Sequence, residues 1–121
     1  MAKANSKKNN LGSAKKKSKR LIKSSLFALA STESVSADVN VVFTSGIGQI
    51  TASLFRNGVL INMQSISNSG SIHFAEVQSG DSISVNGVCT GTADITVSVS
   101  TNPVTPEHFN AGIIMSGYTI L

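Results

Sequence analysis

From Asp38 to the end of the chain, apolar residues recur at every second position, the pattern of strands with one face buried. Val39, Val41 and Phe43 alternate with Asn40, Val42 and Thr44, while Ala93, Ile95, Val97 and Val99 alternate with Asp94, Thr96, Ser98 and Ser100. The same reading places strands near 47–56, 58–66, 71–78, 81–88 and 112–120. Asn57-Gly58, set between ITASLFR and VLINM, is a hairpin signal, because both central residues of such a turn must accept positive φ. Asn68-Ser69-Gly70, Ser79-Gly80-Asp81 and Thr90-Gly91 mark further turns at roughly 10-residue intervals. Seven short strands so spaced predict an all-β fold, a single antiparallel β-sandwich that is immunoglobulin-like or a small jelly roll. The antibody-type hallmarks are missing: the chain has no tryptophan, Cys89 is its only cysteine, and Tyr118 lies too near the end for the usual tyrosine corner. Pro103 and Pro106 put NPVTPEH in a loop, where a missing backbone donor does no harm.

Upstream of Asp38 the pattern is different. LIKSSLFALA places Leu21, Ser25 and Leu29 on one helical stripe with Ile22 and Leu26 beside it, so a short amphipathic helix is expected there. A helix of that length needs a surface to dock on. The first twenty residues, MAKANSKKNNLGSAKKKSKR, have almost nothing apolar to bury and predict an arm that orders only against a partner. The expected organisation is therefore a basic arm over 1–23, a linker or short helix over 24–37, and the sandwich over 38–121.

Charge sharpens this division. Lys3, Lys7, Lys8, Lys15, Lys16, Lys17, Lys19, Arg20 and Lys23 are nine of the ten basic residues, and Arg56 alone follows them. All six acidic residues lie downstream, so the net charge of +4 joins an arm of +9 to a remainder of −5. Nine clustered cations suit phosphates, and their binding would be salt-sensitive and indifferent to sequence. With no aromatic residue before Phe27, stacking on bases is not expected.

A basic start, an apolar run and small residues at Ala28-Leu29-Ala30 or Val35-Ser36-Ala37 also invite a secretion-leader reading. The apolar run from Leu26 to Ala30 is too short for that, the basic start too long, and no Asn-x-Ser/Thr sequon occurs. Nor does any stretch approach the roughly 20 apolar residues of a membrane span. Cytoplasmic synthesis is the expectation.

The search for chemistry yields little. His73 and His108 lack partners at metal-ligand spacing. Cys89, between Val88 and Thr90, has the setting of a small buried hydrophobe. No nucleophile-elbow or phosphate-loop sequence is present. Asp81, Asp94 and Glu76 could gather at one end of a sandwich around calcium, but no ligand loop joins them. These residues predict a protein that is not an enzyme, with no cofactor, no metal and no catalytic residue.

KKKSKRLIK followed by the strand-rich body from Val39 to Leu121 resembles, as a layout, the capsid and capsid-associated proteins of viruses and bacteriophages. The resemblance implies a virion component made in the host cytoplasm, whose arm touches genome or neighbouring subunits. The body is shorter than a typical shell-forming jelly roll, which favours a minor, cementing, spike or fibre-base role. Other assembly subunits, nucleic acid through the arm, and further copies of the chain in a cyclic homo-oligomer are the expected partners. Leu26, Phe27 and Leu29, with Ile113, Ile114, Met115, Tyr118, Ile120 and Leu121 of the apolar end, are the candidate subunit contacts. Two alternatives stay open, a secreted adhesion or carbohydrate-binding module and a nucleic-acid-binding protein working through its tail.

Overall fold

Alternating burial runs through most of the long strands of the computed structural model, which describes residues 34–121; the exception is Val59–Ser67, which buries no residue. The expected arm and helix, and with them the nine basic residues and Leu26, Phe27 and Leu29, lie outside the described residues. Nine strands follow in order: β1 (Val35–Thr44), β2 (Gly48–Arg56), β3 (Val59–Ser67), β4 (Gly70–Val77), β5 (Ser82–Cys89), β6 (Thr92–Val97), β7 (Thr101–Asn102), β8 (Glu107–Phe109) and β9 (Gly112–Ile120). They form two antiparallel sheets, β3-β2-β5-β9-β7 and β4-β1-β6-β8.

The expected sandwich is what folds. Among the described residues only β2 and β3 are joined as a hairpin within one sheet; each other connection between consecutive strands crosses to the opposite sheet. The described strands are therefore a β-sandwich whose path wraps from sheet to sheet. The hairpin turns at Asn57 and Gly58, with φ of 53° and 78°, so the positive φ required by the two-residue loop is present at both positions.

Three local features depart from expectation. The first strand begins at Val35, three residues before the expected boundary, because the period of two runs back through Ala37, which is wholly buried. Pro106 does not keep His108 in a loop: Glu107–Phe109 pairs with β6 as β8. Thr101–Asn102 pairs with the end of β9 as β7. Two or three residues carry no readable period, so neither short strand was visible as a pattern.

The core lies between the sheets. Val39, Val41, Ile72, Phe74 and Ile95 from one side meet Ile50, Leu54, Ile83, Val85, Ile114 and Tyr118 from the other. Each fully buried aliphatic or aromatic side chain of this kind contributes about 1.5–3 kcal/mol. Packing is tight where Gly87 of β5 faces inward between Ile50 and Ile114, its partners in the two flanking strands. A Cβ at Gly87 would collide with the carbonyl of Gln49.

Candidate interaction surface

The two sheets divide the charge between them. In the five strands of the larger sheet Arg56 is the only charged residue, whereas Asp38, Glu76, Asp94, Glu107, His73 and His108 all belong to the four-stranded sheet. Alternation explains what the larger sheet presents instead. Its inward positions take the aliphatic residues, and its outward rows read Ser67, Gln49, Val88 and Ile113, then Ser65, Thr51, Asn86 and Met115. Val88, Ile113 and Met115 form one apolar patch, 53%, 76% and 72% exposed. Val59, Leu60, Ile61 and Met63 of β3 are exposed at the diagonally opposite corner. Small uncharged groups such as Thr51 and Ser65, whose hydroxyls share a hydrogen bond of 2.6 Å, fill the space between.

This corrects the expected set of subunit contacts from the apolar end. Ile114, Tyr118 and Ile120 point inward and fill the core, so they are not available to a partner. Ile113, Met115 and Leu121 are exposed. Sequence alternation separates Ile113 and Met115 from Ile114, but a run that is apolar on both faces hides which set is which.

On the outer face of the smaller sheet two histidine–aspartate pairs span neighbouring strands. His73 Nδ1 lies 2.6 Å from Asp38 Oδ1, and His108 Nδ1 lies 2.8 Å from Asp94 Oδ1. Both pairs are well exposed, where an ion pair contributes little. Ser71 donates to Asn40 between them. Among the described residues no three His, Cys, Asp or Glu side chains come together as a metal cage. The three acids that could have gathered around calcium do not form a cage: Asp94 faces His108, Asp81 is held by Arg56, and exposed Glu76 adds its charge to the Arg56 side.

Two part-buried polar clusters brace the sandwich. Arg56 Nε and Nη2 donate to Asp81 Oδ1 and Oδ2, each at 2.9 Å, and the backbone N–H of Gln78 donates to Oδ2 at 2.8 Å. The hydrogen bond to Asp81 raises the Arg56 pKa further above its ordinary value. Asp81 also accepts through its carbonyl from Ile120 N–H at 2.8 Å, so one residue ties the β4–β5 turn, the end of β2 and the end of β9. The second cluster joins the sheets. Tyr118 Oη and Ser116 Oγ of β9 both donate to Glu107 Oε1 of β8 at 2.6 Å. Burial, and then the bond to Glu107, push the Tyr118 pKa far above the usual tyrosine value, with the Ser116 hydroxyl opposing.

Cys89 is buried, its thiol within 3.3 Å of the Gly91 carbonyl and 3.5 Å of that of Asn110. An open depression of about 370 Å³ beside it is lined by Ile47, Gln49, Ser67, Asn68, Val88 and Thr90 among others. A second, about 450 Å³, lies by Ser98, Val99, Val104, Thr105 and Leu121. Neither has a side-chain carboxylate, imidazole or amine in its wall. No helix among the described residues is long and apolar enough to cross a membrane. The chain matches no family model, no curated protein and no solved structure.

Proposed function

We propose that this protein is a non-enzymatic structural component of a virion or similar large assembly, in a minor, cementing, spike or fibre-base role. The observation that carries this reading is the uncharged outer face of the five-stranded sheet, with Val88, Ile113 and Met115 exposed together. A contiguous apolar patch on a surface without charge is a surface to be covered by another protein. The sheet-to-sheet wrapping and the nine-cation arm of the sequence are consistent with it. The fold itself does not choose, since β-sandwiches also serve as lectins.

In this reading the arm meets nucleic acid or the acidic faces of neighbouring subunits, and the body supplies the protein contact. The adhesion alternative requires a leader. A leader ending at Ala37 would remove a core residue of β1, and one ending at Ala30 would leave β1 whole. The test is the intact mass of the protein from its natural source, with the size of the particle it elutes with. A full-length chain in a large particle supports the assembly reading. A chain cut after Ala30 and eluting as a monomer would replace it with the adhesion module.

A further inference from the structure

We propose that β3 is a self-pairing edge, through which a second copy of this chain extends the five-stranded sheet across a two-fold axis. The four edges of the sandwich are unequal. β7 is two residues long, runs into Pro103 and covers only Thr119 and Ile120 of β9, whose open stretch is weakened as a pairing edge by Gly112 and Gly117; β8 is three residues long and follows Pro106. β4 carries exposed His73 and Glu76. Short length, proline and charge are the devices that stop strands from adding to an edge. β3 has none of them over most of its length: VLINMQSIS is nine residues, uncharged and free of proline, and among the described residues it is paired on one side only, with β2. Its one irregularity, where Leu54 and Phe55 face Asn62 and Leu60, sits near the hairpin and leaves Asn62–Ser67 in regular register.

Chemistry and symmetry select a second copy as the occupant. Antiparallel addition about a two-fold axis normal to the sheet sets each strand against itself, with residues of the same face opposite one another. The outward residues that would then meet are Met63, Ser65 and Ser67, uncharged and mostly small, so self-pairing brings no like charges together. The described body carries five acidic residues against one arginine and would otherwise repel its copy, but the exposed acids lie in the other sheet. This inference does not depend on the virion reading; a dimer without a particle and a particle without dimers are separate results.

The test uses the full-length chain in enough salt to screen the arm. Sedimentation is expected to give the mass of two chains, and backbone amides in Asn62–Ser67 are expected to exchange more slowly as concentration rises. Met63→Lys, alone and with Ser65→Lys, should weaken the dimer at least about tenfold with the circular dichroism spectrum unchanged. Ile113→Lys, on the distant strand β9, should leave the dimer intact. A chain that stays monomeric, or a dimer broken by Ile113→Lys and untouched by the β3 variants, would overturn the proposal. So would protected β3 amides in a monomer, which would assign the edge to the chain's own N-terminal segment.

Discussion

Arg56 and Asp81 meet in a two-pronged ion pair, with both contacts at 2.9 Å and the aspartate side chain only 2% exposed. The arrangement satisfies the aspartate, and its cost appears when one partner is removed. Arg56→Ala leaves a buried carboxylate with only the Gln78 N–H, and is expected to destabilise the fold by about 1–3 kcal/mol. Arg56→Lys, which cannot reproduce the fork, should recover only part of this. Replacing both residues together with apolar ones of similar volume should cost far less than either single change. Denaturant titration of the four proteins tests the set, and an Arg56→Ala loss under 1 kcal/mol, within the range of an exposed pair, would refute the brace.

Tyr118 gives the fold an alkaline limit. Its pKa is raised in the folded protein, so its contribution is fully present below about pH 10, the unfolded value, and is lost as pH rises above that toward the folded value. It is the only tyrosine, and there is no tryptophan, so tyrosinate absorbance reads this one site. Ionisation is expected to coincide with unfolding rather than precede it. Tyr118→Phe should cost about 1 kcal/mol near neutral pH and flatten the stability loss above pH 10. A tyrosine titrating at its ordinary value in the folded protein would contradict the buried clasp to Glu107.

Gly87 has no room for a side chain. Gly87→Ala would drive a methyl against the Gln49 carbonyl and force β2 from β5, at an expected cost of about 1–3 kcal/mol. Gly58→Ala, at a turn position open to solvent but with φ of 78°, should lose about 1 kcal/mol through backbone strain alone. Thermal melts of the two variants rank them, and an unaffected Gly87→Ala would mean that the sheet yields at this point.

The Lys-rich arm is expected to act apart from the body. Deleting residues 1–23 should leave the β-type circular dichroism intact and abolish retention on duplex DNA. For the full chain, up to nine phosphate contacts predict an affinity loss of about 10³–10⁵ between ~50 and ~200 mM salt. Salt-independent retention, or retention by the truncated protein, would exclude this use of the arm.

How much of this was legible depended on the length of the pattern. The period of two from Val39 and from Ala93, and the Asn57-Gly58 turn, were enough to foresee the sandwich, because burial on one face imposes alternation wherever a strand is long. The start of β1 was readable in the same way, but Val35-Ser36-Ala37 also fits a cleavage site, and a three-residue match satisfies both. Periodicity carries no information on which sheet a strand joins. For that reason the uncharged outer face of the larger sheet could not be foreseen, although every residue that makes it so is in the sequence. Arg56 and Asp81 are 25 residues apart, and nothing local marks them as partners.

The wrapped path has a kinetic consequence. Asp38 and Ser98, hydrogen-bonded through two contacts across β1 and the end of β6, are separated by 60 residues, and such distant pairings must form late and at high loop-closure cost. Folding in milliseconds to seconds is the expectation for a chain of this topology. Among the described residues the β2–β3 hairpin is the local unit, so it is expected to form early, with its uncharged edge in solvent. The newly made protein is therefore most exposed to premature association before it is finished, and its yield should fall with the rate of synthesis.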